Sequence, residues 1–238
     1  MKRGLLAILL VFLVSVSMTG CAIDATVLLN RNKEDTRAEP DPNVMRSYRE
    51  VLLNETEFFS TDSSKSLLLQ DFLENREIYD KVFRVTRFAV LDMNGDKVPE
   101  VVLELSSGDS PYFFEVLHYY YGTVYGYLFS YRDMQQLKED GVFFYSGGAG
   151  NTGIGKLKFE GINLKTEILG YSELGEGETE QDAVYIIEGE RVNRKAFDAY
   201  LHEQTEKKDA YWYQFSEENI EALFMTENAE ENEDLGDI

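Results

Sequence analysis

Arg87-Phe-Ala-Val-Leu-Asp-Met-Asn-Gly-Asp-Lys-Val-Pro-Glu-Val-Val-Leu-Glu-Leu105 sets two short apolar runs around a cluster of oxygen-bearing side chains. The flanks are rich in β-branched residues, and Pro99 is acceptable as a strand's first residue, so both flanks read as strands. Between them Asp92, Asn94 and Asp96 occupy positions 1, 3 and 5 of a calcium-type loop. The Val98 carbonyl falls at position 7 and Glu100 at position 9. A helix-loop-helix site expects Gly at position 6 and a bidentate Glu at position 12, where this chain has Lys97 and Leu103. The stretch therefore predicts strand, ion-sized loop, strand. The alternative is a polar turn in which Asp92 and Asn94 hydrogen-bond nearby backbone amides without any ion.

Outward from the loop, the period stays that of strands. Tyr112 to Tyr121 and Val124 to Tyr131 are aromatic-rich and separated by Gly122-Thr123, which predicts a hairpin. Val142 to Tyr145, Gly155 to Phe159, Asn163 to Leu169 and Ala183 to Glu188 are further strand candidates. The connections are too short for the crossovers that parallel strands need, so the sheet is expected to be antiparallel. Asp41 and Pro42 make a helix start, followed by Val44, Tyr48, Val51 and Leu52 on one face. A second helix is expected from about Ser64 to Val82, with Leu68, Phe72 and Tyr79 near helical spacing. Asn193 can cap a helix through Phe197, Tyr200 and Leu201, and Ser216 to Phe224 reads as another. The expected class is α+β, mainly antiparallel β-sheet with flanking N-terminal and C-terminal helices. The Asp-rich loop occurs once, whereas a propeller would need several comparable blades.

The chain begins with Lys2 and Arg3, an apolar run from about Gly4 to Val16, and Ser17-Met-Thr-Gly-Cys21. The run is shorter than the roughly 17 to 25 residues of a membrane-spanning helix and reads as an export signal. Met18-Thr-Gly-Cys21 resembles a bacterial lipobox, with Met where Leu is usual. That resemblance implies cleavage before Cys21 and lipidation of its thiol, anchoring the protein at the extracytoplasmic face of the cell membrane. A plain secretory peptide or a retained signal anchor is the alternative. Cys21 is the only cysteine, so no intrachain disulfide can form. The expected organisation is a signal peptide at 1–20, a flexible tether at 21–41, one domain at 42–226 and an acidic disordered tail at 227–238. The net charge is −21, and loss of Lys2 and Arg3 with the signal takes it to −23. Such a chain is a poor partner for nucleic acid or anionic membrane surfaces.

Phe88 to Leu103 resembles the Asp-rich calcium loops of VCBS and FG-GAP repeat proteins. With an early Tyr48-Arg-Glu-Val-Leu52 helix ahead of it, the chain also resembles a group of lipoproteins and secreted proteins of Gram-positive, gut-type bacteria. The resemblance implies calcium held by Asp92, Asn94, Asp96, the Val98 carbonyl and Glu100. Lys97 stands where that pattern has Gly.

Other motifs dissolve in their context. Ser146 to Lys156 contains Gly148-x-Gly150-x-x-Gly153 and Gly150-x4-Gly155-Lys156, but Leu157 replaces Ser or Thr. The following Lys-Leu-Lys-Phe-Glu alternates like a strand where a phosphate-binding helix should begin, so a loop between strands is expected. Ile187 to Leu201 resembles the turn-then-helix segment of exported parvulin-type chaperones without the rest of that architecture. His118 and His202 are the only histidines, and spacing alone selects no catalytic pair among 44 acidic residues. The tyrosines of the aromatic hairpin read as core and ordinary surface, or as a platform for sugars or peptides. The expected function is binding or interaction without catalysis, with a cell-surface glycan or protein as partner. A cell-envelope hydrolase acting on polysaccharide or peptide polymers and a chaperone-like export factor are the alternatives.

Lipidation of Cys21 is directly measurable. Mass spectrometry of the mature N-terminal peptide should find it beginning at a lipid-bearing Cys21, and Cys21→Ser should move the protein out of the membrane fraction. Unmodified Cys21, or a variant that fractionates like wild type, would refute the anchor.

Overall fold

The computed structural model describes residues 41–75, 81–148, 151–174 and 183–225. Cys21, the signal and tether segments before Asp41, and the acidic tail at 227–238 lie outside them.

The first helix, α1 (Pro42–Leu52), starts as its sequence dictates: the Asp41 side chain accepts a hydrogen bond from the Asn43 amide, with proline at N1. Val44, Met45, Tyr48, Val51 and Leu52 form its buried face. There follow β1 (Phe58–Ser60), β2 (Lys65–Leu67) and a five-residue helix, α2 (Leu69–Leu73). Then come β3 (Arg84–Leu91), β4 (Glu100–Ser107), β5 (Ser110–Tyr120) and β6 (Thr123–Ser130). A second group comprises β7 (Val142–Gly148), β8 (Asn151–Glu160), β9 (Asn163–Glu173), β10 (Val184–Ile187) and β11 (Glu190–Val192). The chain closes with α3 (Arg194–Thr205), β12 (Tyr213–Gln214) and α4 (Glu217–Phe224).

The strands make a seven-stranded sheet, β12-β3-β4-β5-β6-β1-β2, and a five-stranded sheet, β11-β10-β9-β8-β7. The α+β, mainly antiparallel class is what the sequence predicted. Strand alternation gives the larger sheet two apolar faces. On one, Phe88, Val101, Leu103, Leu105 and Leu117 pack with Tyr48, Val51, Phe72, Ile220 and Phe224 from the helices. On the other, Ala89, Leu91, Val102, Phe114 and Val116 pack with Phe143 and Leu157 of the smaller sheet. The order is therefore helices α1, α2 and α4, large sheet, small sheet, with α3 packed against β10 of the small sheet. Arg49 of α1 joins the outer helices by donating to both oxygens of Glu221 on α4, at 2.8 and 2.5 Å.

Three expectations are corrected. Over its described residues, 64–75 and 81–82, the helix expected from Ser64 to Val82 is instead a hairpin strand and the short α2, with Phe58, Phe59 and Ser60 paired to Leu67, Ser66 and Lys65. Residues 76–80, with Tyr79, lie outside the described residues. The apolar run Leu67-Leu-Leu69 serves both elements, which is why its spacing suggested one long helix. The sheet is not wholly antiparallel, because β1 runs parallel to β6 with Phe59 opposite Tyr125. The connection between them is long because it passes through β3, β4 and β5. Finally, residues 151–156 of the glycine-rich run belong to β8. Gly153 and Gly155 lie across from Tyr145 and Phe143, and a Cβ on Gly153 would come within 2.1 Å of the Tyr145 ring. These glycines leave room for cross-strand aromatics.

Candidate functional site

The Asp-rich loop joins β3 to β4, with Leu91 paired to Glu100 at its base. Its side chains fold back on its own backbone. Asp92 Oδ1 accepts from the amides of Gly95 (2.6 Å) and Asp96 (3.2 Å), and Oδ2 accepts from the Lys97 amide (2.9 Å). Asn94 Oδ1 accepts from the Asp96 amide at 2.9 Å, and Asp96 Oδ1 accepts from the Val98 amide at 2.7 Å. Asn94 Nδ2 donates to Asp96 Oδ2. Short polar side chains thus cap the amides that the tight turn strips of ladder partners. Gly95 (φ +85°) and Lys97 (φ +73°) both take left-handed backbone. Position 6, where the resembling loops carry Gly, has the conformation that favours Gly, and this chain fills it with lysine.

The fifth residue, Glu100, sits beneath the loop and is wholly buried. Its Oε2 accepts from the Met93 amide at 2.8 Å, and its Oε1 lies 3.1 Å from His118 Nδ1 on β5. Burial pushes the Glu100 carboxyl up from its ordinary value, against the pull of His118 and the Met93 amide. Asp96 adds a smaller upward push. His118 is packed in turn, its ring stacked 3.9 Å from Phe159 of β8. On the other side, Gly141 crosses so close that a Cβ there would meet the Met93 carbonyl oxygen at 2.5 Å. The structure therefore gathers Asp92, Asn94, Asp96 and Val98 around one turn and draws Glu100 into the layer between the sheets. Among the described residues no group of three or more His, Cys, Asp or Glu side chains is placed to hold a metal ion.

Strand register puts two more turns at this end of the sheets. Val101 pairs with Leu117, so the far end of β5 runs past the Asp-rich loop to a two-residue turn, Tyr121-Gly122, closed by Tyr120 opposite Thr123. Both turn residues have positive φ, +46° and +85°, as a type I′ hairpin requires. The β8–β9 turn joins them: Tyr127 donates its hydroxyl to the Ile162 carbonyl at 2.6 Å, and Gly161 lies against the Tyr120 ring. Tyr120 and Tyr121 meet edge to face at 4.6 Å. Tyr121 is 87% exposed, whereas Tyr127 is buried and Tyr112 and Tyr120 are partly covered. The aromatic hairpin is therefore mostly packing, with one free ring at its tip. An open cleft of about 570 Å³ lies nearby, lined by Thr61, Asp62, Tyr127, Phe129, Asn163 and Thr166 among others.

The remaining ionisable groups with buried contacts hold the fold. Lys138 Nζ donates to the Thr205 carbonyl and to Asp209 Oδ1, at 2.8 and 2.6 Å. Arg87 pairs with Glu104 at 2.6 Å and lies over the Trp212 ring. His202 is exposed on α3 beside Glu206. No described helix is long and apolar enough to cross a membrane. No family model, curated protein or solved structure matches the chain.

Two features escaped sequence reasoning. Nothing marked His118 as the partner of Glu100, because that pairing depends on β4–β5 register. Tyr121 was one tyrosine among many, although a Tyr-Gly pair between two strands does signal a turn whose first residue must take positive φ.

Proposed function

We propose that the protein is an extracytoplasmic interaction module, tethered to the membrane by lipid on Cys21, that meets its partner with the end of the sheets carrying the Asp92–Glu100 loop and the Tyr120–Tyr121 turn. The observation that carries this reading is Tyr121. A bulky L-residue in left-handed backbone costs about 1–2 kcal/mol, which Gly or Asn in the same turn would largely avoid. A ring held there and left 87% exposed contributes little to the fold. Its cost fits a residue kept for contact with something else. Aromatic faces suit the C–H faces of sugars and the apolar parts of peptides, so the partner class is a cell-surface glycan or protein. A net charge of −21 argues against nucleic acid.

The adjoining loop takes calcium, in this reading, as a weak structural ion. The side chains of Asp92, Asn94 and Asp96 and the Val98 carbonyl would hold it. What supports this reading is that the turn's own amides hold these oxygen-bearing side chains at one loop, the kind of hard ligand that calcium takes. Glu100 would join only by giving up one of its two buried partners. Two exposed carboxylates opposed by Lys97 imply an affinity of about 10⁻⁴ to 10⁻³ M, as in extracellular modules. Calcium near 10 mM should then add about 1.4 to 2.7 kcal/mol of stability by mass action.

Thermal unfolding in EDTA, in magnesium and in calcium tests the ion. Calcium alone should raise the melting temperature by a few degrees. Asp92→Ala should abolish the rise, and Lys97→Gly should enlarge it while relieving left-handed strain. Identical melting in all three conditions would reduce the loop to a polar turn.

The contact surface has its own test, co-sedimentation with insoluble Gram-positive cell walls that retain their surface proteins. Tyr121→Gly should melt at or slightly above the wild-type temperature, gaining up to about 1 kcal/mol from relieved strain. It should nevertheless lose the retention that wild type shows. Equal partition of the two proteins would count against the reading.

A further inference from the structure

The helix-side face of β5 is apolar except at one place. Phe113, Leu117 and Tyr119 pack into the core there, and Glu115 falls among them with no exposed surface. Neither of its carboxyl oxygens meets a hydrogen-bonding partner. Its cross-strand neighbours are Leu103 on β4 and Leu128 on β6. Room for it comes from Gly126, where a Cβ would lie 2.1 Å from Glu115 Oε1 and 2.5 Å from the Phe58 ring. Phe58 closes the spot from β1, edge to face with Phe72 of α2 at 5.3 Å. The carboxyl is thus sealed between the sheet and its edge hairpin, where a neutral acid is tolerated and an unpaired carboxylate is strongly disfavoured.

We propose that Glu115 is a proton-operated latch for the edge hairpin: with its proton in place β1 and β2 close over the sheet, and loss of that proton drives them off. The hairpin is the side that can yield. β4 and β6 flank β5 with long ladders, whereas β1 meets β6 through two residue pairs and β2 is the outermost strand. Beyond those pairs, Thr61 donates its amide and hydroxyl to the Gly126 carbonyl, at 3.0 and 2.7 Å. Asp62 Oδ2 accepts from the Leu128 amide at 3.0 Å. These bonds span the position of Glu115, so its hydration requires their release.

The ionisable groups on the packed elements are Asp62 in the hairpin turn, Lys65 on β2, and Asp71 and Glu74 on or beside α2, all exposed, together with Arg46, Arg49, Glu50 and the buried Tyr48 on α1. Directly across from Glu115, β4 and β6 present Leu103 and Leu128, with Gly126 next on the same face of β6. Of the charged groups only Asp62 acts on Glu115, and it repels a second negative charge. Burial first, and Asp62 second, hold the Glu115 carboxyl well above its ordinary value of 4.5. The folded chain therefore binds this proton more tightly than the unfolded chain. The stability it contributes is fully present below about 4.5 and is lost as pH rises toward and through the folded-state value.

Hydrogen exchange of the full chain, read as protection factors from pH 5 to 9, tests the latch. In wild type, protection at 58–67 should fall with pH by up to about tenfold per unit, the limit for one released proton. Protection in β4 and β5 should change less. Glu115→Leu, or Glu115→Gln if the leucine variant does not fold, should flatten the fall at 58–67. Asp62→Asn keeps an acceptor for the Leu128 amide while removing the repelling charge, so the carboxyl's value drops and the fall should be smaller and level off at lower pH. A fall that is the same in wild type and the Glu115 variant, no fall in wild type, or a loss spread evenly over β4 and β5 would overturn the proposal.

Discussion

Glu100 holds the Met93 amide with one carboxyl oxygen and approaches His118 with the other, and it does so without exposure to solvent. Everything at that end of the molecule depends on this contact. It fixes where the Asp-rich loop leaves the sheet, because Met93 is the loop's second residue. It also fixes β5 against β4, and through the stacking of His118 on Phe159 it sets the small sheet against the large one. A buried carboxyl is expensive to desolvate and is retained where hydrogen bonds offset that cost. Here those bonds join a turn to two sheets.

The second constraint is that the large sheet is covered on both faces. An antiparallel sheet with one face in water alternates apolar and polar residues, but Val101 to Leu105 is buried throughout. Three carboxyl groups consequently end up inside: Glu104 is paired with Arg87, and the other two are in opposite circumstances. Glu100 faces the small sheet and has partners, while Glu115 faces the helices and has none. The first rigidifies its surroundings. The second leaves the β1–β2 edge dependent on protonation, and that edge meets the rest of the sheet through two residue pairs.

How much of this could be read from the chain depends on the range of the interaction involved. The strand-loop-strand at Arg87 to Leu105 and the caps at Asp41, Asn193 and Ser216 are local, and their residue types declare them, whereas the left-handed backbone at Lys97 is not declared by its residue type. The β1–β2 hairpin is local too, but Phe58–Ser60 is three residues long and Lys65–Leu67 runs straight into α2, so helical spacing masked it. The parallel β1–β6 pair and the Glu100–His118 contact join distant segments, and no spacing rule encodes them. Glu115 carried a faint signal in hindsight: it is the lone acid inside the apolar run Phe113-Phe-Glu-Val-Leu117. Among 44 acidic residues that signal had little contrast.

The central claim is that the loop is anchored from beneath by Glu100, whether or not an ion is bound above it. The exchange rate of the Met93 amide in EDTA tests it most directly. A protection factor comparable to those of the β4 and β5 amides is the predicted result. Exchange as fast as that of an exposed loop amide, slowed only when calcium is added, would contradict it.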